Sequence, residues 1–390
     1  MADSVTVTSR QSWFSRLRES IKSVLFGLFL FVAGFPLLFW NEGRAVRTAK
    51  SLEEGAGIVM SVSPDVVDVA NGGTLVHVSG FAKTDDSVED QTFGVSENAI
   101  RLSRHVEMFQ WVESKSSETE KNLGGSEETT TTYDYTTEWR DSVVDSSKFE
   151  SPAGHENPRT FPYDTRSDEA ANVSLGAFTL SASQVARLHK SEDLHLDASP
   201  GGIPNAQIHD GVVYLGADPG APSVGDARVR FTVVRPGPVS IVARQVGSSF
   251  EPYQAEAGGS VSLLEEALVS ADAMFASAQR SNTIVTWMVR LGGYLLMFVG
   301  LSMTFRPIAV VGDVVPLFGR LLGAGVGIFS AFVAAFFAFS TMAVAWFAYR
   351  PLLGITLLVM AGGAVYLLIR AVNKKSSSAA PPPPLPPLPG

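Results

Sequence analysis

Glu42 and Arg44, a carboxylate and a guanidinium two residues apart, lie in the stretch Trp40-Asn41-Glu42-Gly43-Arg44-Ala45-Val46, directly behind a long apolar run. At a membrane exit this pattern reads as a fixed interfacial site, or as an aromatic-belt Trp followed by a charged stop. Arg290 is the one ionisable residue well inside a second apolar run, and such residues pair or reach an aqueous edge. Trp287 and Asn282 place Arg290 near the same interface that Glu42 leaves, so a Glu42–Arg290 pair is the hypothesis that joins them.

Other candidate chemistry is thinner. His155-Glu156 lacks the second His of a zinc-binding helix, and no G-x-S-x-G occurs. His189 and His195 flank Asp193, with Asp197 beyond; Lys190 and Glu192 among them favour a solvated turn over a metal site. Asp85-Asp86 with Glu89-Asp90 lacks the alternating pattern of a calcium loop. Asn172-Val173-Ser174 is a glycosylation sequon with meaning only in a eukaryotic lumen. No catalytic residue, metal or cofactor is assigned.

The elements that must hold these residues follow from composition. Of the 39 acidic residues, 36 lie between Asn41 and Asn282, where only 19 of the 30 basic residues fall. So acidic a segment disfavours nucleic acid as a partner, because phosphate binding needs clustered Lys and Arg. The absence of cysteine excludes disulfides, thiolate metal sites and a Cys nucleophile.

Ser23 to Trp40 carries no charge, and a bilayer core of about 30 Å needs about 20 helical residues. Further apolar blocks run from Ile284 to Phe305, Leu321 to Tyr349 and Leu352 to Ile369. The fold class expected is a membrane protein, an α-helical four-span bundle carrying a large β-rich (α+β) extracytoplasmic domain. The layout begins with a cytoplasmic segment 1–20, a first span 21–40 and the domain 41–283. Spans 284–305, 321–345 and 352–369 follow, joined by a cytoplasmic loop 306–320 and an exterior loop 346–351. A basic and polyproline tail, 370–390, ends the chain. Arg and Lys beside the spans are biased to the side of the termini, which are therefore expected in the cytoplasm.

Within the domain, strand-like runs recur at 57–62, 74–79, 106–111, 129–139, 211–215, 227–234 and 239–246. Arg235-Pro236-Gly237-Pro238 between the last two predicts a hairpin. A loose internal match, 75–80 then 109–111 against 212–216 then 250–253, suggests two similar lobes. Ser262-Leu263-Leu264-Glu265 has capping-box form and predicts a helix running into the membrane. Gly319, Gly323 and Gly327 repeat every four residues, with Gly354 and Gly362 on the next block, which predicts close packing of spans three and four.

Phe39-Trp40-Asn41-Glu42-Gly43-Arg44-Ala45-Val46, Leu52-Glu53-Glu54-Gly55, Val76-His77-Val78-Ser79-Gly80, Arg101-Leu102-x-Arg104-x-Val106-Glu107-Met108-x-Gln110-Trp111 and Phe305-Arg306-Pro307 resemble the LUMA, or transmembrane protein 43, family over residues 20–370. The resemblance implies a multi-pass protein that associates with itself and organises other membrane proteins, in the endoplasmic reticulum and inner nuclear membrane of eukaryotes. The Ala/Gly-rich spans and missing Cys lean toward a bacterial plasma membrane. The expected role is a non-enzymatic scaffold with membrane lipids, other membrane proteins and its own copies as partners. The alternative is a lipid-handling or transport component with a site at the exterior interface.

Overall fold

The computed structural model describes residues 3–197, 203–204 and 206–351. Trp13–Ile58 (α1) is one unbroken 46-residue helix, capped by Ser12, whose hydroxyl accepts from the Ser15 amide. Beyond the apolar run, Glu42, Arg44, Ala45, Ala49, Lys50, Leu52, Glu53 and Glu54 supply strong helix formers with no proline among them. The helix therefore runs through the exit motif to Ile58, well past the expected boundary at residue 40. Ala271–Gly312 (α2) and Pro316–Tyr349 (α3) are likewise longer than the expected spans, and the 306–320 loop shrinks to the turn Asp313–Val315. Among the described residues these three helices are long and apolar enough to cross a membrane. The expected fourth span and the tail lie outside the described residues.

The close contact in the bundle is between α1 and α2. A Cβ added at Gly27 would meet the Gly300 carbonyl at 2.6 Å, and one at Gly300 would meet the Phe31 amide nitrogen at 2.5 Å. Gly34 faces Met297 and Gly293 faces Leu38 in the same way. Two pairs of glycines, each seven residues apart, thus let the two backbones approach, the small-residue mode of helix association. The glycine face expected on α3 would meet a fourth span, which lies outside the described residues. Among the described residues, Gly319 closes on Asp313 of the preceding turn, a Cβ added at Gly323 would lie 4.0 Å from Ala309, and one added at Gly327 would meet nothing within 4 Å beyond its own helix backbone. Gly354 and Gly362 lie outside the described residues.

The β-rich region is a two-sheet sandwich. Its principal strands are Asp3–Gln11 (β1), Leu75–Lys83 (β2), Arg101–Lys121 (β3), Glu127–Arg140 (β4), Val212–Leu215 (β5), Ala227–Val234 (β6), Gly237–Val246 (β7) and Leu263–Glu265 (β8). One sheet runs β1-β4-β3-β6-β5, and the other is built on β2 and β7 with β8 beside β7. Alternating inward residues of both, among them Leu102, Val106, Val229 and Phe231 against Val76, Val78, Val239 and Ile241, form one buried core. That core corrects three expectations. β6 and β7 do not pair: β6 ladders with β3 and β7 with β2, so Arg235–Pro238 carries the chain from one sheet to the other. Pro236 and Pro238 lack the amide hydrogens that a hairpin ladder would need there. Two lobes do not form, because both halves of the segment contribute strands to each sheet. Finally, Leu263–Glu265 pairs with β7 instead of opening a helix, and the cap of α2 is Ser270, which accepts from the Ala273 amide.

Only Arg101–Met108 of β3 ladders with β6; from Met108 onward β3 pairs with β4 as a long hairpin that leaves the sandwich. β1 adds to its outer edge, Asp3 opposite Tyr135 and Gln11 opposite Glu127. The N-terminal segment, expected on the far side of the membrane from the domain, is thus a strand of the domain's own sheet, and Asp3 ends beside His155.

Candidate functional site

At the exit motif the helix periodicity puts Glu42 and Arg44 on different partners. The Glu42 carboxylate, 3 % exposed as a residue, receives Arg290 of α2 in a forked pair, Nε to Oε1 at 2.6 Å and Nη2 to Oε2 at 2.8 Å. Trp346 of α3 donates its indole N–H to the same Oε2 at 2.9 Å, so three helices converge on one side chain. The Arg290 guanidinium lies over the Trp287 ring, 4.7 Å from its centroid, and 6.0 Å from that of Trp346. Aromatic faces attract a cation and keep water from it. The pair expected from the sequence is therefore formed, with Trp346 as a member that sequence reading missed.

Arg44 turns to the neighbouring face. It donates to Asn282 at 3.1 Å, to Asn41 at 3.2 Å and to Thr286 at 3.0 Å. Asn41 donates to the Thr286 carbonyl and Asn282 to the Ala45 carbonyl, which stitches the two helix backbones together. Gly43 leaves room for the Tyr349 ring, which an added Cβ would meet at 2.6 Å. Trp40 is exposed, as an interfacial aromatic would be. Further along α1, Glu54 accepts from Tyr253 and the Glu256 amide, and Ser51 from the Gly259 amide. The helix is thereby bonded to the sandwich as well as to α2.

A second polar cluster, unread in the sequence, closes the opposite end of the helices. Asp313, with its side chain 1 % exposed, accepts from Arg16 of α1 and from Lys121 of the β3–β4 tip at 2.8 and 2.9 Å. Arg16 also pairs with Glu127 at 2.7 Å and donates to the Gly125 carbonyl. Gly124 donates to the Val314 carbonyl, and Trp13 donates to that of Val310. Gly125 has φ +79° and faces Trp13 so closely that a side chain there would collide with the ring. Burial alone would raise the Asp313 pKa, but the Lys121 ammonium and Arg16 guanidinium outweigh it and hold the carboxyl below its ordinary value.

The remaining candidates scatter. His155 is buried, stacked on Tyr135, with Nδ1 on the Ser151 carbonyl and Nε2 3.2 Å from Asp3. Asp193 and His195 line an open pocket of about 480 Å³ with His209, Asp210, Arg228 and Arg230. Asp90 leaves the acidic run to form a buried pair with Arg104, while Asp86 accepts from the Asn172 amide. Among the described residues no three His, Asp or Glu side chains are grouped as a metal site.

Long apolar helices bound through buried polar groups to a β-sandwich define an integral, multi-pass membrane protein. The sequence model of the family described as Transmembrane protein 43 matches residues 108–351. The chain is 36 % identical over 369 residues to Transmembrane protein 43 of Mus musculus and 35 % over 369 to that of Homo sapiens, covering 89 % of this chain and 90 % of each relative. To the Transmembrane protein 43 homolog of Drosophila melanogaster it is 33 % identical over 374 residues, 90 % of this chain and 96 % of that one. The chain belongs to the Transmembrane protein 43 family. No solved structure matches it.

Proposed function

We propose that the chain is a membrane scaffold that organises other membrane proteins through its β-rich domain and through self-association. The observation that carries this reading is the joint around Glu42. Its carboxylate oxygens are taken up by Arg290 and Trp346, and Arg44 by Asn41, Asn282 and Thr286. Polar groups bonded to one another hold a shape, whereas a catalytic site aims such groups at a substrate. In this reading the sandwich stands outside the cytoplasm, Arg306 and Arg320 face the cytoplasm, and the bacterial plasma membrane is the favoured location.

A second reading, lipid handling, has one observation of its own: among the described residues, an apolar cleft of about 470 Å³ between α1 and α3, lined by Phe35, Pro36, Phe39, Ser340, Thr341 and Val344. Native mass spectrometry of the full chain from mild detergent separates the two. A scaffold retains defined protein partners or its own copies. A lipid handler retains one lipid species, and retention of lipid with no protein would overturn the first reading.

A further inference from the structure

The β3–β4 hairpin poses a problem that the helices create. Its tip is bonded to Arg16 and Asp313, at the far end of the bundle from the sandwich. From Arg16 to Glu42, α1 rises about 39 Å, and from Val112 to Lys121, β3 rises about 30 Å. A hydrocarbon core is about 30 Å thick. If the helices cross it, so does this three-stranded sheet of β1, β4 and β3, and it carries Asp3, Arg10, Glu113, Lys115, Glu118, Glu120, Glu128 and Asp134. Among the described residues no strand pairs with the outer edge of β1, nor with the outer edge of β3 beyond Val112. Charged side chains and open strand edges do not face lipid.

The topology supplies its own solution. β1 and β3 are both antiparallel to β4, so they run parallel to each other with a one-to-one height: Thr6 is opposite Thr132, which is opposite Ser116. A second copy turned about an axis along the helices therefore brings its β3 to the free edge of β1, in the same direction and at the same height. Head-to-tail contacts of that kind close into rings. We propose that the free edge of β1 in one copy ladders with the free edge of β3 in the next. The copies close a polar sheet on the inside of a ring, and the apolar helix faces point outward to lipid. Closure removes both edges at once, the condition for β structure at membrane depth. Exposed Phe29, Val32, Val299, Phe332, Phe336 and Phe339 are then the lipid-facing surface. This deepens the scaffold reading, on whose self-association it rests, by naming the surface that mediates it.

The chain's lack of cysteine gives a clean test. Within one copy, Thr6 and Ser116 are two strand spacings apart, about 9.6 Å, beyond the roughly 7 Å Cα separation a disulfide can bridge. Thr6→Cys is combined in turn with Ser114→Cys, Ser116→Cys and Glu118→Cys, which share its face of the sheet at successive registers. Each variant is oxidised in native membranes and run without reductant. The expected result is a ladder of covalent multimers for at least one pair and monomer for every single variant. As a control, Ser116→Cys with Thr132→Cys, directly opposed, should close within one chain. A native mass of several copies without a covalent ladder from any of the Thr6→Cys pairs places self-association elsewhere and overturns this proposal alone. A monomer that retains no protein partner overturns the scaffold reading with it. Failure of the control pair to close removes the hairpin on which the proposal stands and overturns it too.

Discussion

The two ends of the α1–α2 pair each bury an acid against an arginine, in different company. At the exit motif, Glu42, Arg290 and Trp346 all belong to helices, and glycine contacts already hold α1 and α2 side by side. At the opposite end, Asp313 draws in Arg16 from the start of α1 and Lys121 from a hairpin that begins in the sandwich. The first cluster joins elements that packing has already brought together. The second fixes the tip of an element that β1, running straight into α1, already carries to the helix ends. Removing the same kind of charge should therefore damage the helix bundle in one place and loosen only the hairpin tip in the other.

The largest effect is expected at Glu42. Glu42→Ala should cost about 3–5 kcal/mol, because it leaves Arg290 buried without its partner, whereas Glu42→Leu with Arg290→Leu should restore most of that loss. Thermal unfolding in detergent, followed by the fluorescence of Trp287 and Trp346, measures both. Equal losses in the single and double variants would mean that the charges do not act as a pair. Next comes Gly300→Leu. An added side chain meets the α1 backbone, so about 1–3 kcal/mol or more should be lost. Gly327→Leu, whose added Cβ meets nothing within 4 Å among the described residues, should stay within about 0.5 kcal/mol. Reversal of that order would transfer the tight packing from α1–α2 to α3.

At the tip, Asp313→Asn should cost about 1–3 kcal/mol and appear as faster hydrogen exchange over Asn122–Ser126, with the α1–α2 amides unchanged. The pH dependence has a definite sign. A carboxyl held below its ordinary value stabilises the fold above the unfolded pKa of about 3.9, and that contribution is lost as pH falls through the depressed folded value. The tip should therefore stay closed at neutral pH and loosen only below about pH 4, a response that Asp313→Asn abolishes. The smallest effect belongs to the other end of β1. Asp3→Asn should change stability by about 0–1 kcal/mol, since its side chain is 66 % exposed. Exchange rates across β1 would detect any larger role.

The exit joint was legible because Trp40-Asn41-Glu42-Gly43-Arg44 and Arg290 each interrupt apolar runs, where a charge needs an explanation. Trp346 was not, since an interfacial Trp has a sufficient reason of its own. Gly27 with Gly34 and Gly293 with Gly300 were present at matching spacing, yet glycine is common in membrane helices and only the facing backbone shows which glycines matter. The tip cluster was harder: Asp313 stands alone between Val310-Val311-Gly312 and Val314-Val315, but 297 positions separate it from Arg16 and nothing local names its partners. Arg235-Pro236-Gly237-Pro238 predicts a hairpin, but turn chemistry does not say which sheet receives the next strand, and here β7 joins the other one.

The unbroken length of α1 has a mechanical consequence. The helix is a strut of about 69 Å, and the β3–β4 hairpin is a second strut beside it. The sandwich joins them at one end through Ser51 and Glu54, and Asp313 joins them at the other. Tilting a free helix of that length by ~10° about its middle would swing each end sideways by about 6 Å. In a frame closed at both ends, such a swing must bend the hairpin or open a corner. Resistance to shear therefore resides in that far corner, where Asp313, the Arg16–Glu127 pair and the direct passage of β1 into α1 together hold the frame shut.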